Sequence, residues 1–513
     1  MSASWRRLVL GEMLPRNARR FSSKVALVSG NVRLTYVQLN ERVNRLAASL
    51  RGLGVAKGSK VAVMAYNSHR LVEAYFACNK LGAVVVPVNY RMVAAEVQYV
   101  LTHSDAEVLL YGEHFADLAR DAAVATRIAM GEAAPAFALC YETLIAEGAS
   151  AEPDVDIDDD DDAFLMYTSG TTGFPKGAVL THKNLWVNTA NWIMEIGINS
   201  DSVWTAGLPL FHIGGLNGVL PFFYIGGTVA FETGGTSFDP VRTLQLMSAE
   251  KVTHCNFVPT MWQQILDQDR SAYDLSSMRL AMWGASMAPL RLLEDMCRAF
   301  PGIEIVNAFG QTEMSSNTTF LRGKDAVRKM GSVGHPLVNV EVRIVDDHDR
   351  DVAPGEVGEI VYRGPTVLKE YYKDPAATAE ALRGGWFHSG DLVREDEEGY
   401  LYVVDRKKDM IISGGENIYP AEVERAIGMH PAVREVAVIG VPDPRWVETP
   451  KAVVVLREGF TLTREAVIEH CRRQMASYKK PSYVAFVREL PRNAAGKVLR
   501  RELRRLHGGA DDQ

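Results

Sequence analysis

The chain has 513 residues, more than a single hydrophobic core can serve, so two to four domains of roughly 100–200 residues each are expected. With 47% hydrophobic and 23% charged residues it has the composition of a soluble globular protein, not of a disordered, fibrous or collagenous one; its net charge of −7 argues against general nucleic-acid binding. The five cysteines, Cys78, Cys140, Cys255, Cys297 and Cys471, contain no CxxC pair, which argues against a disulfide framework or zinc site. They fit a reducing, cytoplasmic compartment and read as small buried apolar residues.

The first stretch, MSASWRRLVLGEMLPRNARRF, carries Arg6, Arg7, Arg16, Arg19 and Arg20. Glu12, few serines and a short apolar stretch argue against a targeting peptide, so an amphipathic helix packed on the body is expected. From Leu34 to Asn89 a helix with Leu39, Val43, Leu46 and Leu50 is followed by a strand from Lys60, a helix from Arg70 to Leu81 and a strand from Ala83 to Val88. Continuous apolar strands alternating with amphipathic helices predict βαβ units in a parallel sheet covered on both faces. GLGVAKG at Gly52 has the spacing GxGxxxG and follows a helix, so it reads as a turn and not as a dinucleotide fingerprint. The acidic run Asp158 to Asp162 reads as solvation of the turn before the strand Ala163 to Tyr167, in preference to a metal site.

The uncharged span from Trp204 to Phe231 is long enough to cross a bilayer. Pro209, Pro221, His212, Asn217 and its glycines make it a poor membrane helix, and it is expected to be buried strand and loop. A second strand–helix alternation occupies Val252 to Val306. From Val340 the pattern changes to short turn-punctuated strands, VEVRIVDD, GEVGEIVYRG and GYLYVVDR, which predict a small antiparallel β unit. After Asp405 a compact mixed segment begins: a helix from Pro420, two strands, a helix from Thr463, the strand YVAFV and a basic closing helix.

The stretch MYTSGTTGFPKGAVLTH, Met166 to His182, follows an apolar strand. Such a glycine- and hydroxyl-rich loop can present backbone N–H groups and side-chain hydroxyls to phosphate oxygens, and Lys176 adds a positive charge. It is not Walker A: proline precedes the lysine, and Gly177 stands where a magnesium-binding hydroxyl would be. No Ser/His/Asp or HExxH grouping appears.

TSGTTGFPKG, Thr168 to Gly177, closely resembles the signature of the adenylate-forming superfamily of acyl-CoA synthetases, luciferases and peptide-synthetase adenylation domains. The resemblance continues in order through LPLFHIGG (Leu208 to Gly215), NAFGQTE (Asn307 to Glu313), WFHSGDL (Trp386 to Leu392), VDRKKDMIISGGENIYP (Val404 to Pro420) and PRNAAGKVLR (Pro491 to Arg500). It implies an α/β fold: a large N-terminal domain, 1–405, of two βαβ-type sheets plus a small β-barrel, a hinge at 406–408 and a small mobile α+β C-terminal domain, 409–513. It also implies a reaction that joins a carboxylate to the α-phosphate of ATP, expels pyrophosphate and transfers the acyl group from AMP to a thiol.

On that resemblance Thr168, Ser169, Gly170, Thr171, Thr172, Gly173 and Lys176 hold the β- and γ-phosphates. Glu313 and Thr168 serve as magnesium ligands, and Thr312 contacts the α-phosphate. Gly284, Ala285 and Ser286 form a wall between adenine and acyl group. Asn307, Ala308, Phe309 and Gly310 belong to the nucleotide site, with Phe309 beside adenine where the family often has tyrosine. Asp391 accepts from the ribose hydroxyls and Arg406 assists. Lys497 neutralises charge on the carboxylate and α-phosphate during adenylation, and Lys408 is the hinge about which Lys497 withdraws. Gly414, Gly415, Glu416 and Trp446 line the CoA path. Val447 replaces a glycine common at its place, and Ile412 a lysine, so Ile412 receives no catalytic part.

Phe211-His212 lacks the aspartate with which amino-acid-activating relatives pair the substrate ammonium, which disfavours an α-amino acid. His212, Gly214 and Gly215 resemble the acyl gate of fatty-acyl and aryl-CoA ligases. With no arginine or lysine recognisable in the pocket wall, an apolar-tailed monocarboxylate is expected: a medium- or long-chain fatty acid slightly ahead of a cinnamate- or benzoate-type acid. A luciferase-like oxygenase and a P-loop phosphotransferase rank below both. ATP, CoA and Mg2+ are the implied cosubstrates and cofactor, with no nucleic-acid partner and no transmembrane segment; a homodimer is left open.

Overall fold

The computed structural model describes residues 7–168, 175–232, 238–284, 288–323, 325–413, 416–475, 477–492 and 498–509. They form two compact units, Met1–Val342 with Tyr362–Phe387, and Arg343–Val361 with His388–Gln513.

The first unit contains two large sheets. One runs in the order Glu370–Tyr371, Lys176–Thr181, Asp162–Thr168, Val84–Pro87, Lys60–Met64, Val108–Tyr111, Thr126–Ala129, Leu139–Cys140. The other runs His335–Pro336, Ser316–Arg322, Glu304–Gln311, Leu280–Gly284, His254–Asn256, Val203–Ala206, Thr228–Phe231, Val25–Ser29, Val32–Thr35. The first is parallel except toward one side; the second is parallel over a central block, with the antiparallel pair Val25–Ser29 and Val32–Thr35 at one edge and a further change of direction toward the other. In the first sheet the change falls at Asp162–Thr168 with Lys176–Thr181, in the second at Glu304–Gln311 with Ser316–Arg322. Each change is a hairpin, and each hairpin tip carries candidate phosphate or metal residues.

The helices follow from local signals. Tyr36–Gly52 starts at a capping box between Thr35 and Gln38 and buries Leu39, Val43, Leu46 and Leu50 on one stripe. His69–Leu81 starts at the Ser68 side chain and ends at Gly82, whose φ of 66° is the left-handed conformation that closes helices. The N-terminal helix Met13–Arg20 packs as expected: Met13 and Leu14 are buried, and Asn17 donates to the Phe223 and Tyr224 carbonyls.

Three expectations are corrected. The span Trp204 to Phe231 is not only strand and loop, because Ile213–Ile225 is a helix with Pro221 inside it. That helix is mostly buried and carries no charged residue, so no polar row in its sequence reveals a 3.6-residue period. The acidic run is not merely solvated: Arg7 pairs with Asp158, Lys57 with Asp161 and Lys183 with Asp160. Three cysteines are buried, but Cys140 is partly exposed and Cys297 exposed. No described helix is long and apolar enough to cross a membrane.

The second unit holds most of a four-stranded sheet in the linear order Glu341–Val345, Gly358–Arg363, Phe387–Glu395, Leu401–Arg406, where a small barrel was expected. It also holds the sheet Glu416–Ile418, Ile411–Ser413, Val447–Leu456, Val433–Asp443, with Tyr483–Phe486 paired to Val447–Leu456. Alternate residues of Val433–Asp443 face two cores: Val438 packs with Val423, Ile427 and Val467, whereas Ala437 and Ile439 pack with Leu490 and Leu503. Burial on both faces explains the unbroken apolar runs of these strands.

Candidate active site

In the first unit, Thr168 and Lys176 are register partners at the tip of an antiparallel pair, so both stems of the glycine-rich loop are fixed by sheet hydrogen bonds. The helix Ala94–His103 braces the same stems: Tyr99 donates to the Pro175 carbonyl at 3.2 Å, and His103 Nδ1 lies 2.8 Å from the Tyr167 hydroxyl. The Lys176 ammonium stands 5.1 Å from the centre of the Tyr371 ring. Ser169, Gly170, Thr171, Thr172 and Gly173 lie outside the described residues.

The second hairpin tip is a single turn of 3-10 helix, Thr312–Met314, followed by Ser315 and Ser316 at φ 58° and 108°. Two consecutive non-glycine residues at positive φ store strain that surrounding contacts must hold. Ser315 Oγ donates to the Thr366 carbonyl, and Asn188 Nδ2 donates to the carbonyls of Met314 and Asn317. Asn188 Oδ1 accepts from Asn217 in the helix that His212 precedes. Glu313 Oε1 accepts from the Tyr371 hydroxyl at 3.0 Å, and its backbone carbonyl accepts from Leu368 N. Glu313 and Thr168 together offer a carboxylate and a hydroxyl, the oxygen donors that a hard cation such as magnesium takes.

Among the residues expected at the nucleotide, Gly284 is the register partner of Ala308, and Phe309 that of Thr319. Asn307 Nδ2 donates to the Ser332 carbonyl. A Cβ on Gly310 would collide with the Ser316 carbonyl, so the hairpin closes this tightly only with glycine. Ala285 and Ser286 lie outside the described residues.

His212 caps the helix Ile213–Ile225 in extended conformation. Burial, assisted by the charge of Arg91, pushes its imidazole down to about 4, so the ring is neutral at pH 7. Arg91 therefore adds a cation near this wall that sequence reading had not found. The rings of Tyr66, Tyr90, Phe211 and His212 form a chain with centroid spacings of 4.6, 4.9 and 4.6 Å. Asn67 fixes the loop before His212 by donating to the Leu208 carbonyl and accepting from Leu210 N, both at 2.9 Å. Gly214 is partly exposed, and a Cβ on Gly215 would meet the Pro209 carbonyl.

In the second unit Asp391 and Arg406 are register partners, and Arg406 Nε lies 2.5 Å from Asp391 Oδ1. The chain then turns, with Asp409 N and Met410 N donating to the Arg406 carbonyl, and Lys408 is exposed. Asp409 is tied to Arg500 and Arg504 of the closing helix, both at 3.1 Å. Glu416 pairs with Ser413. Trp446 is 43% exposed, with the Arg445 guanidinium 4.5 Å from its ring centre, and so is not an ordinary packed indole. Gly414, Gly415 and Lys497 lie outside the described residues.

The family model for AMP-binding enzymes matches residues 14–372, and the model for the C-terminal domain of AMP-binding enzymes matches residues 422–497. The chain belongs to the AMP-binding enzyme family. It is 41% identical to a feruloyl-CoA synthase of Amycolatopsis sp, over 97% of this chain and 99% of that one. It is 37% identical to a long-chain fatty-acid CoA ligase of Mycobacterium tuberculosis, over 93% of each. Its fold is similar to that of the o-succinylbenzoate CoA synthetase of Bacillus subtilis in complex with an acyl-adenylate, with a TM-score of 0.86, 33% identity and coverage of 96% and 97%.

Within this AMP-binding enzyme, sequence reasoning missed Tyr371, Asn188, Asn67 and the ring chain of Tyr66 and Tyr90. Each reaches the site from a segment without a motif of its own. The only local signal was the aromatic pair in KEYYKDP, just before a helix that Asp374 caps.

Proposed function

We propose that the chain is an ATP-dependent aryl-CoA ligase. The ionised carboxylate of an aromatic acid attacks the α-phosphorus of ATP and pyrophosphate leaves. The thiol of CoA then loses its proton and attacks the acyl carbonyl, and AMP leaves. A carboxylic acid is already ionised at pH 7, so the first step asks for positioning and charge neutralisation and not for a general base.

The observation that carries the choice of acid is the ring chain ending at His212. A neutral imidazole at the end of a row of three aromatic rings, in contact with Phe211, offers flat apolar surface and edge-to-face contacts to an aromatic substrate. The feruloyl-CoA synthase and o-succinylbenzoate CoA synthetase similarities support the same reading, which reverses the order of acids expected from sequence. A fatty acid is the second reading, favoured by the similarity to the mycobacterial ligase.

In this account Lys176 and the loop from Thr168 steady the leaving pyrophosphate. Glu313 and Thr168 would hold magnesium, which would neutralise phosphate charge when bound. Thr312 serves the α-phosphate, and Asp391 and Arg406 serve the ribose. Lys497 serves the adenylation step, Lys408 the hinge at 406–408, and Gly414, Gly415, Glu416 and Trp446 the thiol substrate.

The direct test is product identity. With ATP, Mg2+, CoA and an aromatic acid, AMP and pyrophosphate should appear in equal amounts with the thioester. Formation of ADP and phosphate, or oxygen uptake with light emission, would refute the proposal.

A further inference from the structure

The strand Glu370–Tyr371 lies against the stem that follows the glycine-rich loop, with Tyr371 opposite Ala178, and Lys369 N and Tyr372 N donating to the carbonyls of Val179 and Gly177. The Tyr371 backbone is pinned from its other side by Thr378. That hydroxyl accepts from Tyr371 N at 2.9 Å and also bonds the Tyr371 carbonyl and the Asp374 carbonyl. The next residues are anchored as well: Tyr372 donates to Asp105, and Lys373 pairs with the same carboxylate. Tyr371 is therefore fixed at its backbone before its side chain does anything.

That side chain reaches two groups of opposite charge. Its hydroxyl donates to Glu313 Oε1 at 3.0 Å, and its ring lies beneath the Lys176 ammonium at 5.1 Å. A phenol can do both at once because its donor is at the ring edge while the negative quadrupole lies on the face. Glutamate and lysine have three and four flexible side-chain bonds, and each loses rotamer freedom when held.

We propose that Tyr371 is a positioning residue that sets the Glu313 carboxylate for the metal through its hydroxyl and the Lys176 ammonium for the terminal phosphates through its ring. The inference rests on the proposed roles of Glu313 and Lys176. It adds that the two groups are adjusted by separable parts of one side chain.

The test is equilibrium binding by calorimetry, in the absence of acid and CoA. Two titrations are needed: ATP at a series of Mg2+ concentrations, and ATP and pyrophosphate without the metal. Tyr371→Phe keeps the ring and removes the hydroxyl. It should raise the Mg2+ concentration that half-saturates metal-dependent ATP binding by about tenfold, the lower range for loss of a group that orients a metal ligand. Metal-free affinities should stay within about twofold of the parent on this account, since the cation–ring contact remains. Tyr371→Leu should show the same metal defect and also weaken metal-free pyrophosphate binding at least threefold. An unchanged Mg2+ dependence in Tyr371→Phe, or identical profiles for the two variants, would overturn the proposal. Glu313→Gln separates the levels: if that variant leaves the Mg2+ dependence unchanged, the metal reading itself fails, whatever the tyrosine variants do.

Discussion

Asn188 donates to the Met314 carbonyl at 3.2 Å, and in doing so braces a strained turn from a helix remote in sequence. The same amide donates to Asn317 on the far side of Ser315 and Ser316, and its oxygen accepts from Asn217. One fully buried side chain thus connects the Glu313 turn to the helix that begins after His212.

Replacing it should be costly. Asn188→Leu leaves two carbonyls and the Asn217 amide buried without this partner, a loss of about 3 kcal/mol on the usual scale for orphaned polar groups. We expect a lower urea midpoint and a drop in ATP–pyrophosphate exchange of at least tenfold under conditions where the variant remains folded. Wild-type exchange in a folded Asn188→Leu protein would show that the turn holds itself.

Val447 is the clearest case of local strain in the second unit. It takes φ of 70° while 83% exposed, so a β-branched side chain pays for a left-handed backbone with almost no burial in return. Left-handed geometry costs an L-residue roughly 1–2 kcal/mol, and glycine gives part of that back as unfolded-state entropy. Val447→Gly should therefore raise stability by about 0.5–1.5 kcal/mol in chemical denaturation. A lower midpoint would mean that the valine makes compensating contacts.

Four histidines, His69, His182, His212 and His254, are pushed down to about 4, in each case chiefly by burial. Their folded pKa values lie below the unfolded value of 6.5, so the neutral form is the native one and nothing is lost above that pH. Between about 6.5 and 4 the unfolded chain takes protons that the folded chain declines. Each group then costs about 1.4 kcal/mol per pH unit across the window. The denaturation midpoint should fall over this range, and His182→Asn should reduce the slope by about one proton. An identical slope in that variant would remove His182 from the account. For the same reason, kcat/KM for the acid should show no inflection near 6.5 assignable to His212.

Asn67 tests the proposed acyl role of His212. Its two bonds to the backbone of Leu208 and Leu210 fix the loop that delivers His212. Asn67→Ala should raise KM for the acid by about tenfold, on the scale of two hydrogen bonds lost, while KM for ATP changes little. Equal rises in both would indicate general loosening of the unit.

Much of this was legible in the sequence, and the exceptions have physical causes. The alternating helices and strands around Leu39 and Lys60 were readable because one face of each helix is polar. Ile213–Ile225 was not, because it carries no charged residue, whereas Arg70, Glu73 and Lys80 mark one row of His69–Leu81 even though folding buries most of that helix too. Thr168, Lys176, Glu313 and His212 stood in dense local motifs. Tyr371, Asn188 and Asn67 did not, since what matters about them is a contact across 58, 126 and 143 residues of chain, and only folding creates it. Val447 was visible as an anomaly in place of glycine, and its backbone angle supplies the reason glycine suits that position.

An aryl-CoA ligase is distinguished from a fatty-acid ligase by kcat/KM for CoA-dependent pyrophosphate release across ferulate, cinnamate, benzoate and indoleacetate beside straight-chain acids from octanoate to palmitate. At least one aromatic acid should exceed every straight-chain acid by about tenfold or more, about 1.4 kcal/mol of transition-state discrimination. A straight-chain acid at the top of the series would contradict it.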